Sequence, residues 1–172
     1  MEKEEEEKLE FDPNVLREFV NFKVLKKKKK VEIYKGPHEA IVVLYDTSGS
    51  MTTELSEKDD IPRFCAVNAF FNAFADKTVV FTKTRVHLVK LYFFGENITE
   101  KLDFTDDFEA FKKQIDEFSS EGATRLFDCM GIAIDDLIKI KEKYPKIILR
   151  MIALTDGYDT GCAVENAPEL II

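Results

Sequence analysis

The chain has 172 residues, 45% of them apolar, and a formal net charge of −8. That length suits one domain with a substantial core, the apolar share excludes a disordered chain, and the acidic balance argues against general nucleic-acid binding, which needs a basic footprint. No apolar stretch reaches the ~18 residues of a membrane-span candidate.

Residues 1–39 read as a charged leader. Its start, "MEKEEEEKLE", is acidic where a signal peptide would be basic and then apolar, so the expected location is the cytoplasm. "DPNVLREFVNFKVL" (12–25) opens with a helix-start signal, Asp12 followed by Pro13, and aligns Val15, Leu16, Phe19 and Val20 on one face. The run Lys26 to Lys30 reads as a solvated basic stretch near the acidic tail, with contact to an anionic membrane or nucleic-acid surface as the lesser alternative. "VEIYKGPHE" (31–39) is expected to be a short strand ending at Gly36-Pro37.

The organised domain is expected over 40–172. "AIVVLYD" (40–46) is a continuous apolar run, the mark of a strand buried on both faces of a parallel sheet. A polar loop follows, then "IPRFCAVNAFFNAFAD" (61–76), with Pro62 suited to the first helical position and apolar residues nearly all round, which predicts a largely buried helix. "TRVHLVKLYFFG" (84–95) is a long strand, and "NITEKLDFT" (97–105) follows after a turn short enough for an antiparallel hairpin. Phe108, Phe111, Ile115 and Phe118 give an amphipathic helix over 106–118. A second begins close to Thr124, with Leu126, Met130, Ile134, Leu137 and Ile138 as its apolar positions. "KIILRMIALTDG" (146–157) is another apolar strand ending in hydroxyl and carboxylate. Strands alternating with helices predict a doubly wound α/β fold, mostly parallel with one antiparallel edge strand.

Parallel strands bring their following loops to one edge of the sheet, where ligands bind. "DTSGSM" (46–51), the loop entering the helix at Thr124, and "TDG" (155–157) all fall there, separated by about 75 and about 30 residues. Asp46 and Asp156 supply two carboxylates; Ser48, Ser50 and Thr124 supply neutral hydroxyls. All are hard oxygens, with no His or Cys among them, which points to Mg²⁺, with Mn²⁺ or Ca²⁺ as alternatives, rather than zinc or copper. Two carboxylates only just neutralise a divalent ion, so an open coordination position would attract an anionic oxygen from a partner. Taken singly, each of these residues is also an ordinary turn former or helix cap, Thr124 included.

Other chemistry-bearing residues read blandly. His87 is expected mid-strand and His38 just before the first strand, neither placed for acid–base work. Asp128 and Asp159 lie near the same edge and are expected to be solvated, with tuning of a bound ion as the lesser alternative. Cys65, Cys129 and Cys162 are odd in number, widely spaced and lack CxxC pairing, which argues against a disulfide framework or a structural zinc site. Cys65 and Cys129 fall on helices, as small apolar residues.

"DTSGS" after an apolar strand, "GATRL" leading into a helix and "ALTDG" ending a strand resemble the metal-ion-dependent adhesion site (MIDAS) of von Willebrand factor type A domains, over roughly residues 38–165. The resemblance implies that Ser48, Ser50 and Thr124 contact the metal directly. Asp46 and Asp156 would hold it mainly through bound waters, and a partner's acidic side chain would complete the shell. It also implies an intracellular, non-enzymatic protein-interaction module whose last strands are missing, since "AVENAPELII" (163–172) looks like the helix leading to them. Two other readings stand beside it: a metal-assisted hydrolase or phosphotransferase using the same carboxylates, and a scaffold with a vestigial site. Against the enzyme, the chain has neither a GxxxxGK[ST] loop nor a GxSxG elbow.

Overall fold

The computed structural model describes residues 36–56, 58–82, 85–157 and 159–161. The helix expected over 12–25, the lysine run, most of the 31–39 strand and the 163–172 helix lie outside them.

Six apolar or aromatic residues between two carboxylates build β1 (Glu39–Asp46), and all eight residues are buried. A 3-10 turn over Gly49–Thr52 follows, then a small hairpin of β2 (Glu54–Ser56) and β3 (Asp59–Pro62), and then helix α1 (Arg63–Thr82). β4 (His87–Phe94) and β5 (Ile98–Thr105) lead to helix α2 (Phe108–Ile115), helix α3 (Leu126–Lys143) and β6 (Ile148–Leu154). The main sheet runs β5-β4-β1-β6, with β1 parallel to both β4 and β6 and β5 antiparallel at the edge. The doubly wound, mostly parallel sheet with one antiparallel edge strand is therefore the architecture observed.

Alternation along β1 divides its side chains between two cores. Ile41, Val43 and Tyr45 join Val89, Leu91 and Phe93 beneath α1 and α2, where Phe71, Phe108, Phe111 and Ile115 close the layer. Ala40, Val42 and Leu44 join Tyr92 and Phe94 beneath α3, which contributes Cys129, Ala133 and Leu137. At about 1.5–3 kcal/mol for each fully buried large apolar side chain, these two layers fix the position of β1.

Several expectations need correction. Pro62 ends β3, paired with Glu54, and the helix starts one residue later. A proline with no N–H to donate is tolerated on such a short strand. α1 is not largely buried: Phe71 and Ala75 are fully covered, but Phe70, Val79 and Val80 are exposed. The apolar face of α3 centres on Cys129, Ala133 and Leu137, and Ile138 is half exposed. α2 stops at Ile115, yet Phe118 still packs, stacked on Phe64 with ring centroids 4.4 Å apart. His87 opens β4 instead of sitting within it, its Nδ1 2.9 Å from Glu39 Oε2.

Candidate metal centre

Asp46, the last residue of β1, is fully buried at the carboxyl end of the sheet. Its Oδ1 accepts the Ser48 N–H at 2.8 Å and its Oδ2 accepts the Thr155 hydroxyl at 2.5 Å. A carboxylate bonded this way is oriented from two sides while keeping further lone pairs to offer. The tight turn after β1 then sets Ser48 Oγ 3.1 Å from Ser50 Oγ. Ser50 Oγ donates to Asp156 Oδ1 at 2.7 Å, which joins the first motif to the loop after β6. The second oxygen of Asp156 pairs with the guanidinium of Arg63.

Thr124 arrives by a different route. The loop between α2 and α3 docks on the first motif: Glu121 N–H donates to Thr47 O at 2.6 Å, and Glu121 forms a parallel bridge with Ser48. The Glu121 carboxylate in turn accepts the Asn97 N–H at 2.9 Å. This close approach requires Gly95, where a Cβ would sit 2.8 Å from both Glu121 Cβ and Thr47 Oγ1. Thr124 itself is buried, with its N–H donating to Thr160 Oγ1 at 3.1 Å and its carbonyl accepting from the N–H groups of Thr160 and Gly161. The loop carrying Thr124 is thus clamped between the first motif and the segment after β6.

Thr124 is not the N-cap of α3. Arg125 occupies that position without a side-chain cap bond, and the N–H of Phe127 is satisfied instead by Asp159 Oδ2 at 2.9 Å. Asp159 is therefore a capping residue, not a merely solvated one, and Asp128 is held by Arg125 at 2.8 Å. Thr47, a hydroxyl of the same turn, is buried beside Gly95 with no hydrogen-bond partner among the described residues.

The two serine donors suit a small hard cation on two counts. Adjacent ligands of an octahedral ion with ~2.0–2.1 Å bonds lie about 2.9 Å apart, close to the observed Ser48–Ser50 separation. Ser50 gives its hydrogen to Asp156 and accepts from Ser48, so one of its lone pairs remains for a metal. Among the described residues no group of three or more His, Cys, Asp or Glu side chains is arranged to hold a metal, and the candidate set relies on hydroxyls for three of its five oxygens.

Two members of the constellation were not assigned from sequence. Thr155, which orients Asp46, lies inside the quoted "TDG". Arg63 had a subtler signal: a cation as the first residue of a helix opposes the helix dipole and calls for a counter-charge.

No family model matches the chain. It is 25% identical over 135 residues to a protein named probable bifunctional E2/E3 enzyme R795 of Acanthamoeba polyphaga mimivirus, which covers 73% of this chain but only 10% of that protein. Among solved structures it is similar to the von Willebrand factor domain of the type V pilus tip protein Mfa5 from Porphyromonas gingivalis, with TM-score 0.58 and 18% identity over 72% of this chain and 39% of that one. The minor pilin PilB of Streptococcus sanguinis superposes with TM-score 0.54 and 19% identity, over 73% and 31% of the two chains. A von Willebrand factor type A protein from Catenulispora acidiphila gives TM-score 0.50 and 23% identity, over 73% and 28%. Together with the sheet order and its antiparallel edge, these likenesses assign the chain the fold of a von Willebrand factor type A domain.

Proposed function

We propose that the chain is a divalent-metal-dependent protein-binding module, in which Asp46, Ser48, Ser50, Thr124 and Asp156 hold Mg²⁺ and a partner's acidic side chain completes the shell. The observation that carries this reading is the bonded relay Ser48–Ser50–Asp156, which ties hydroxyl and carboxylate donors from opposite ends of the domain at the edge where Asp46 ends β1. When bound, the ion would supply an electrophilic position for a carboxylate oxygen. The chain's own part is to hold five oxygens in place: Thr155 and the Ser48 N–H orient Asp46, and the Glu121 and Thr160 contacts fix the Thr124 loop.

Binding is favoured over catalysis by where the acid–base groups lie. His38 and His87 sit at the opposite, amino-terminal end of the sheet, His87 engaged with Glu39. The viral relative is named as a probable bifunctional E2/E3 enzyme, and a recognition module joined to such an enzyme is the context that likeness suggests. No helix among the described residues is long and apolar enough to cross a membrane.

The test is calorimetric titration of Mg²⁺ and Mn²⁺, followed by capture of an acidic peptide with and without EDTA. Asp46→Ala is expected to weaken metal binding at least ~100-fold, the upper end of effects seen when a ligand's support is removed. Capture that persists in both EDTA and the variant would remove the metal from the contact.

A further inference from the structure

Arg63 is the first residue of α1, where the unpaired N–H groups already carry partial positive charge. A guanidinium there is unfavourable unless a carboxylate answers it, and Asp156 does, through its Oδ2. Asp156 Oδ1 is the acceptor for Ser50, so one carboxylate serves both the candidate metal donors and the arginine. The hairpin delivers Arg63 to this place: its N–H donates to Thr53 O at 2.9 Å, and Glu54 pairs with Pro62 just before it. The arginine side chain is 35% exposed and that of Asp156 14%, so the cation lies on the solvent side of the carboxylate.

We propose that Arg63 is a tethered cation that competes with the divalent ion for Asp156 and thereby sets the metal affinity of the site. The inference rests on the metal reading above. With Arg63 in place, the charge of Asp156 is answered, and Asp46 is the carboxylate of the five-residue set that has no cationic partner among the described residues. A dication entering beside the guanidinium meets a like charge at short range, where repulsion is barely screened by salt. Withdrawal of Arg63 restores the second negative charge and removes the repulsion in one movement. The side chain has room to move off Asp156 within an open groove of about 410 Å³, lined by Asp156 and Thr155 as well as by Met51, Leu55, Val67 and Phe70. Loading the metal and freeing the hairpin and helix start from the loop after β6 are then one coupled event.

Titration of Mn²⁺ and Mg²⁺ into the full chain and its Arg63→Gln and Arg63→Lys variants tests this, with circular dichroism confirming that each is folded. Arg63→Gln is expected to bind at least ~10-fold more tightly than wild type. Arg63→Lys, which keeps the charge but loses the planar fork, should fall between them. As a readout separate from the affinity titration, limited proteolysis at the hairpin should speed up on adding Mn²⁺ to wild type and be metal-insensitive in Arg63→Gln. Equal affinities in wild type and Arg63→Gln would overturn the role of Arg63 while leaving the metal site intact. Absence of binding in all three proteins would overturn the metal reading and this inference together.

Discussion

Two places in this domain set carboxylates around a cation, and they are built in opposite ways. On the α3 face of the sheet, Lys90 reaches Glu100 at 2.9 Å, Asp103 at 3.0 Å and Asp136 at 2.8 Å, with only 6% of its side chain exposed. Tyr92 adds a hydroxyl to Asp136 at 2.6 Å. Burial works against the lysine's charge, but the three carboxylates outweigh it and hold its pKa above the usual lysine range. That cluster is complete, and its cation is covalently part of a central strand. At the carboxyl end of the sheet, Asp46 has hydrogen-bond donors but no cationic partner among the described contacts, and Asp156 has one borrowed from a half-exposed arginine. A permanent charge in the first place serves the fold; in the second, the proposed exchange of Arg63 for a metal would leave room for a ligand.

The sharpest way to break this comparison is to remove the permanent cation. Lys90→Met leaves the Asp136 carboxylate, only 16% exposed, and the more exposed Glu100 and Asp103 without their cation, and breaking a largely buried pair such as Lys90–Asp136 costs up to about 3 kcal/mol. The urea midpoint should fall accordingly, while Mg²⁺ affinity at the other site stays within about two-fold. An equal loss at both places would mean that the two clusters are not independent. Removing Asp46, by contrast, should cost metal affinity far more than stability.

pH sharpens the same contrast. Burial raises the Asp136 carboxyl, but Lys90, Tyr92 and Lys139 outweigh it and hold it below the ordinary carboxylate range. The Phe104 N–H and Lys90 do the same for Asp103. A carboxylate depressed in the folded state contributes stability that is present above its unfolded pKa and lost as pH falls through the folded one. The raised Lys90 contributes stability that is complete below the unfolded lysine pKa and lost only as pH climbs through the folded value. The cluster's contribution should therefore be flat from about pH 5 to about pH 9 and decline below about pH 4. In Lys90→Met the sign reverses, because protonation relieves the repulsion among the remaining carboxylates. The stability gap between the two proteins is expected to narrow between pH 7 and pH 3, and a gap that widens would refute the assignment.

The sequence made the sheet and its loaded edge readable for simple reasons. "AIVVLY" has no charged position to face water, which marks a central strand, and the loops after parallel strands have only one edge to occupy. What escaped reading depends on contacts between distant residues. The β2–β3 hairpin carries no alternating apolar pattern, and its Leu55 and Ile61 are both exposed. Lys90 looks like the one polar interruption in "HLVKLYFF", and only the antiparallel register of β5 and the face of α3 reveal its three partners. α1 looked buried because its aromatics surround it, yet exposed Phe70 shows that composition does not say which face is covered. Arg63 escaped for the same reason: its partner lies 93 residues further along the chain.

The smallest effect belongs to the outermost member of the lysine cluster. Asp103 contacts the same Lys90 as Asp136 does, at a similar distance, but its side chain is 75% exposed against 16% for Asp136. Water screens the outer pair, and exposed ion pairs contribute about 0–1 kcal/mol. Asp103→Asn keeps the oxygen that accepts the Phe104 N–H at 2.7 Å and removes only the charge, so the expected cost is below about 0.5 kcal/mol. Asp136→Asn should cost several times more, since Asp136 also accepts the Tyr92 hydroxyl and faces Lys90 from the helix side. Urea unfolding of the two variants side by side measures the ratio. Equal losses would show that the cluster shares its charge evenly and that depth beneath α3 does not decide the contribution of each carboxylate.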